Sequence, residues 1–216
     1  MKAITKASAF RFLTSLRRPM KTGTTILVAQ PEEFHEPLIF RETIYRDLPV
    51  LAALHVKTWN DTYPGLKQRP GYELRESQWR ETFDADDDSW FCFVIENFKG
   101  QLIGFAKGTK YDNAEFPDFS GELNQIYLLR EYQRLGLGRR LMGCVSRRFL
   151  SLGIGSMICF AGADNPGEPF FRALEAESVG DPASGNYGWH DLHRLASICP
   201  IGKNLSALLV DPNFRK

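Results

Sequence analysis

No stretch of the 216-residue chain approaches the roughly 18 to 20 consecutive apolar residues that a membrane-spanning helix requires, and its apolar segments are broken by charge within a few positions. That absence predicts a soluble protein with no membrane partner. No C-x-x-C pair occurs: Cys92, Cys144, Cys159 and Cys199 are far apart in apolar company, which argues against a zinc site and against a disulfide framework. They read as buried thiols in a reducing cytoplasm. His190 and His193 in "HDLH" have the spacing of two ligands on one helical face, but with Trp189, Leu192 and Leu195 around them and no third ligand nearby, no metal is expected. Internal repeats, low-complexity segments and a secretory apolar core are also missing. Net charge is nearly absent too, at +1.

That balance hides an asymmetry. Residues 1–30 carry six basic residues and no acid, leaving 21 basic against 26 acidic residues in the remainder. The basic stretch is rich in Ser and Thr, so a transit peptide, a contact arm and a disordered extension all remain open. The length suits one core-bearing domain. The division read from the sequence is an arm over 1–37, a domain over 38–200 and a tail over 201–216. With balanced charge and no base-reading motif, a nucleic-acid partner is not expected, although the arginines of residues 134–148 are numerous.

Within the domain, Leu38 to Glu42 reads as a short strand. A helix follows from an Asp47 N-cap with Pro49 in its first turn, its apolar positions at Leu51, Leu54, His55 and Thr58 to Trp59, ending before "DTYPG". A polar helix is predicted over 72–82, leading into the acidic loop "DADDD". "WFCFVIE" and "QLIGFAKGT", separated by "NFKG", predict an antiparallel hairpin. Gly121 to Leu129 is the next strand. Gly136 to Leu152 is a helix burying Leu137, Leu141, Val145 and Phe149, with Arg139, Arg140, Arg147 and Arg148 pointing away, and Gly153 to Ala161 is a parallel strand. A short helix near 168–176 and a strand pair through "YGWHDLHRLAS" complete the chain.

The most informative segment is "IYLLREYQRLGLGRRLMGCV", a strand entering a helix through a glycine-punctuated turn. Such a turn offers converging amides and the positive end of a helix dipole, which together suit a diphosphate. Gly136 and Gly138 allow close backbone approach. The Walker pattern is absent, and a dinucleotide fingerprint needs a third glycine where the chain has Leu141.

Gln133 to Gly138 spell Q-x-x-G-x-G after a strand opened by Glu122. Together with "IYLL" and "DNPGEPFFRALEAESVG" in order over about sixty residues, they resemble the GNAT superfamily of acyl-CoA-dependent N-acyltransferases. The upstream "FRETIYRDLPVLAALHVKTWNDTYPG" extends the likeness to roughly residues 38–197. The resemblance implies a mixed α/β, α+β fold: a largely antiparallel central sheet whose fourth and fifth strands run parallel and splay apart, with flanking helices. It implies acetyl-CoA as acyl donor, its pantetheine against Ile126, Tyr127 and Leu128. The pyrophosphate would rest on the amides of Gln133, Arg134, Leu135, Gly136, Leu137, Gly138 and Arg139, with Asn165 turned toward the cofactor. The side chains of Arg134, Arg139 and Arg140 would either meet phosphates or form a solvated helix face.

By the same resemblance Glu122 is the base, directly or through water, against the alternative of a solvated edge-strand glutamate, and the N–H of Tyr127 or Leu128 polarises the thioester. Many relatives carry a tyrosine that protonates the leaving thiolate where this chain has Phe171. Either Tyr187, in the strand that faces substrate in relatives, substitutes for it, or the thiolate leaves unassisted. The implied reaction is acetyl transfer to a primary amine of a small molecule or peptide by direct attack in a ternary complex; a non-catalytic acyl-CoA-binding or regulatory domain is the alternative. The acidic loop and Trp59, Tyr63 and Trp79 hint at a cationic or aromatic amine. A homodimer is compatible with the sequence.

Overall fold

The computed structural model describes residues 27–29, 37–85 and 87–201; most of the stretch read as an arm, and the tail from 202 onward, lie outside the described residues. The described elements are β1 (Leu27–Ala29), β2 (Leu38–Glu42), α1 (Leu48–Thr62), α2 (Tyr72–Asp84), β3 (Trp90–Glu96), β4 (Leu102–Lys110) and β5 (Gly121–Leu128). They continue with α3 (Leu137–Ser151), β6 (Met157–Phe160), α4 (Glu168–Arg172), β7 (Glu177–Ser178), β8 (Asn186–Trp189) and α5 (Leu192–Ile198). The strands form one sheet in the order β1-β2-β3-β4-β5-β6-β8-β7, antiparallel throughout except for β5 and β6, which run parallel. β1 falls within the segment read as an arm and pairs with β2.

The central strands are buried on both faces, which is why "WFCFVIE" reads as a continuous apolar run rather than an alternating one. Phe91, Phe93 and Ile95 pack toward α3, whereas Cys92 and Val94 pack toward α1 and α2. One core lies on each side of the sheet. α1 buries Leu48, Leu51, Ala52, Leu54, His55 and Thr58 in the smaller core. α3 buries Leu137, Leu141, Val145 and Phe149 in the larger one, at the spacing that the sequence predicts.

Several elements differ from the sequence reading. Asp47 stands at the N-cap of α1 as predicted, but its side chain makes no capping bond, because its carboxylate is held by Arg41, whose Nη1 and Nη2 reach Oδ2 and Oδ1 at 2.6 and 2.8 Å. Arg41 also donates to Glu96 at 3.0 Å, so one buried guanidinium ties β2 to β3 and to the start of α1. α1 runs on through Asp61 and Thr62. Gly153 closes the turn after α3, residues 154–156 are irregular, and β6 begins only at Met157.

The strand pair expected through "YGWHDLHRLAS" is half right: β8 pairs with β6 and β7, but the second half is helix α5. Asp191 caps it, accepting from the Arg194 N–H at 3.0 Å, and Leu192, Leu195 and Ala196 form its buried stripe. His190 precedes the cap and stacks on Phe119, so the two histidines do not share a helical face. α5 also covers a side of α3 read as solvated. Arg147 donates to the carbonyls of Ala196 and Cys199, Arg139 donates to that of Ile198, and Arg148 pairs with Glu42 at 3.2 Å. The helices meet closely at Gly143, where a Cβ would lie 2.3 Å from the Cys199 carbonyl oxygen.

His55 is buried under α1 between Trp79, Phe105 and Tyr127, its Nδ1 without a hydrogen-bond partner among the described residues. Burial, with help from Arg75 and Lys107, lowers its pKa to about 3. The unfolded chain therefore binds a proton near pH 6.5 that the folded one refuses, and stability falls as pH drops from there toward 3. At pH 5 the cost is about 2 kcal/mol. We expect the melting temperature to fall more steeply between pH 7 and pH 5 in the wild-type protein than in His55→Gln; parallel profiles would refute the assignment.

Candidate active site

β5 and β6 are paired only at Gly121 with Met157 and Glu122 with Ile158. Beyond Glu122 the β6-facing edge of β5 has no strand partner among the described residues, and the strands open into a V. β5 carries a bulge here: Lys107 of β4 faces Gln125 while Gly108 faces Leu123, leaving Asn124 over. A bulge bends its strand and sharpens the local twist. It also resets the side-chain alternation. Glu122, Gln125 and Tyr127 oppose Thr109, Lys107 and Phe105, residues two apart on β4, so all three share the α1–α2 face of the sheet. In a regular strand Glu122 would point the other way from Tyr127.

The V opens into a groove of about 810 Å³, walled by β5 from Leu123 to Leu128, the end of β6, α4 and the C-terminal end of α1. At its far end is the turn into α3. Arg134 and Gly136 have φ of 64° and 75°, in the left-handed region where a non-glycine residue such as Arg134 is strained by about 1 kcal/mol or more. The left-handed Gly136 followed by right-handed Leu137 turns successive N–H groups into one concavity. The first bond of this turn into the helix joins the Arg140 N–H to the Gly136 carbonyl at 3.2 Å, so the amides of residues 136–139 keep their hydrogens for another acceptor. A Cβ on Gly136 would meet nothing within 4 Å, whereas one on Gly138 would press on Phe170 at 3.1 Å. Gly136 thus serves backbone conformation, and Gly138 serves close approach to α4.

Of the residues singled out in the sequence, Ile126, Tyr127, Leu128, Gln133, Arg134, Gly136, Gly138, Arg139 and Asn165 border the groove. Leu137 is fully buried and Leu135 packs against the core, so only their main chains face this end. The Arg139 side chain borders the groove and spends one guanidinium N–H on the Ile198 carbonyl, at 3.0 Å. The Gln133 carboxamide donates to the Leu128 carbonyl at 3.1 Å and its main-chain N–H to the Arg130 carbonyl at 3.2 Å, so the Gln133 amide, expected at the pyrophosphate, is already bonded within the turn. Glu122 stands short of the groove wall, where β5 and β6 are still paired, and accepts from Asn124 Nδ2 at 2.8 Å.

Tyr187 is not in the groove. Its ring lies against Phe171, with centroids 5.3 Å apart, and under the Arg172 guanidinium; burial and the nearby Glu168 carboxylate raise its pKa. Phe171 does border the groove and carries no proton to give. Asn165 is committed elsewhere than the resemblance implies: Nδ2 donates to Tyr63 Oη at 2.8 Å and to the Ala161 carbonyl at 3.0 Å, while Oδ1 accepts from the Gly167 N–H at 2.7 Å.

Tyr63, read from sequence only as an aromatic near the acceptor, therefore brings a hydroxyl to the groove. Its partner lies 102 positions away, which no local pattern reveals. Cys159 is a second groove residue that sequence reading left unassigned. Burial, aided by Glu122, pushes its thiol up to about 12, so at neutral pH it is protonated and no nucleophile.

On the α1–α2 face Arg75 lies over the Trp59 ring and Lys107 over Trp79 and Trp90. Trp79 is a core residue, Asp84 ends α2, and Asp86 lies outside the described residues. The hint of a cationic acceptor thus gains nothing from this face.

Comparison with known proteins bears on the family and the fold. The model of the acetyltransferase (GNAT) family matches residues 53–174. The uncharacterized N-acetyltransferase YuaI of Bacillus subtilis (strain 168) is 30% identical over 176 residues, covering 73% of this chain and 96% of that protein. Among solved structures, the PaiA N-acetyltransferase from Thermoplasma acidophilum in complex with coenzyme A superposes with a TM-score of 0.53 at 19% identity, over 70% of this chain and 96% of that one. A GNAT superfamily phosphinothricin acetyltransferase from Sinorhizobium meliloti in complex with acetyl-CoA gives 0.52 at 22% identity, over 66% and 76%. At these identities the two structures speak to the fold.

Proposed function

Because the chain belongs to the GNAT acetyltransferase family, we propose that it moves an acetyl group from acetyl-CoA to a primary amine of a small molecule or peptide, by direct attack in a ternary complex. The observation that carries this reading is the groove itself, which joins an unpaired strand edge to a helix start with four unbonded amides. The strand edge suits the amide groups of pantetheine, added to the sheet as an extended strand would be. The helix start suits the diphosphate. The coenzyme complexes of the Thermoplasma and Sinorhizobium proteins support the same donor.

In the reaction, the N–H of Leu128 polarises the thioester carbonyl and stabilises the oxyanion that forms on attack. The Leu129 N–H goes to the Ile103 carbonyl of β4, and the same alternation turns the Tyr127 N–H toward β4 as well. An alkylamine, with a pKa of about 10, is mostly protonated at neutral pH and must lose a proton first. Glu122 is the acid on the acceptor's face of β5. Its position short of the groove wall favours action through a water molecule. A second reading, a non-catalytic acyl-CoA-binding domain, is favoured by one observation, the phenylalanine at 171. Release of free thiol from acetyl-CoA in the presence of an amine panel decides between them: turnover supports transfer, and binding without release supports the second reading.

Two substitutions test the parts separately. Gly136→Val should raise the coenzyme A dissociation constant by about tenfold or more, because a β-branched residue disfavours the left-handed conformation that gathers the amides; unchanged affinity in a folded variant would contradict the phosphate site. Glu122→Gln should lower kcat by about 10² to 10⁴ with coenzyme affinity kept. An unaltered rate would leave the base unassigned.

A further inference from the structure

We propose that the Tyr63 hydroxyl meets the departing thiolate, held for that role by Asn165. The proposal rests on the acetyl-transfer reading above and names the proton donor that Phe171 cannot be.

The hydrogen-bond network fixes the direction of the Tyr63–Asn165 contact. Asn165 Oδ1 takes the Gly167 N–H, and one hydrogen on Nδ2 goes to the Ala161 carbonyl, so the carboxamide cannot be reversed without facing donor to donor and acceptor to acceptor. The second Nδ2 hydrogen therefore points at Tyr63 Oη, 2.8 Å away. Tyr63 is the acceptor in that bond, and its own hydrogen is left for something else. The ring is steadied by Trp59, 5.1 Å away, at the end of α1. Both Tyr63 and Asn165 border the groove, on the side where β6 ends.

The other phenols fit less well. Tyr127 packs its ring beneath α1 against His55 and Phe105. Tyr187 lies behind Phe171, on the side of Glu168 and Arg172. Burial raises the pKa of Tyr63, and the neighbouring Cys159 adds to the shift, so the phenol holds its proton at neutral pH and is competent as a donor.

The step balances as follows. The amine nitrogen bonds to the thioester carbon, and as the tetrahedral intermediate collapses the C–S bond breaks with its electron pair on sulfur. The Tyr63 O–H proton passes to sulfur, giving the coenzyme thiol and a phenolate. The proton shed by nitrogen is taken by Glu122 and reaches Tyr63 through solvent, so thioester plus amine gives amide plus thiol. A phenol at pKa 10 or above facing a thiol near 8.5 makes full transfer uphill by about 1.5 units or more. The Asn165 N–H offsets part of this by bonding to the phenolate.

The test uses coenzyme A as probe and needs no acceptor. The thiol of bound coenzyme A is alkylated with iodoacetamide across a pH series, with the coenzyme adduct followed by mass spectrometry. A hydroxyl that bonds to the thiolate lowers the thiol's pKa. Tyr63→Phe should raise it by about one unit, the equivalent of about 1.4 kcal/mol, with the coenzyme dissociation constant changed by no more than about twofold. Asn165→Leu should give a smaller rise. Adding Phe171→Tyr to Tyr63→Phe should return the value toward wild type, which recovery of folding alone would not do. An identical thiol pKa in wild type and a folded Tyr63→Phe protein would overturn the inference. Failure of coenzyme A to bind the wild-type protein would instead sink the transfer reading, and this step with it.

Discussion

β5 and β6 touch for two residues and then part, and most of what this molecule can do follows from that separation. A parallel pair normally continues until one strand ends, since each added residue satisfies two more main-chain groups. Here the larger core anchors β6 through Met157 and Cys159, while the extra residue at Asn124 bends β5 away. The result, among the described residues, is a run of β5 main-chain groups with no strand partner along an apolar cleft, of which the Leu128 carbonyl takes the Gln133 carboxamide. The helix that follows β5 starts at the same cleft with its own unpaired amides. An extended ligand ending in a diphosphate satisfies both sets at once, and the family to which the chain belongs has such a ligand.

The bulge also divides labour between the two faces of the sheet. On one side α3 is packed closely against α5, at Gly143 and through Arg139 and Arg147 on carbonyls at the end of α5. On the other side, Glu122, Gln125 and Tyr127 look toward α1 and α2, with Tyr63 at the rim. In the reaction proposed above, donor and acceptor approach the reacting carbon from different directions. A carboxylate on the acceptor's side and a hydroxyl at the mouth of the V are then the two groups through which protons can move.

Much of this is legible in the sequence, because it rests on periodic or local signals. The hairpin of β3 and β4, the long amphipathic helix α3 and the glycine turn before it all leave marks within ten to fifteen residues, and the order from Glu122 to Asn165 carries the family resemblance. What escapes is non-local or aperiodic. A single extra residue at Asn124 leaves no trace in an eight-residue strand, yet it decides which way Glu122 faces. Arg139, Arg147 and Arg148 look solvated on a helical projection until α5 and Glu42 are brought against them. α5 was hidden because its Asp191 cap follows directly on a strand and its seven residues are too few for Leu192 and Leu195 to show a helical period. Asn165 and Tyr63 have unremarkable neighbours and acquire a joint role only by meeting across the groove.

The central claim is that the cleft between β5 and β6 and the amides of residues 136–139 form one binding site. The most direct measurement is a crystal structure of the protein grown with coenzyme A. It should show the pantetheine lying along β5 from Ile126 to Leu128 and the diphosphate bonded to those amides, with the sulfur at the mouth of the V within reach of Tyr63. Coenzyme seated elsewhere, or those N–H groups turned away from the phosphates, would contradict it.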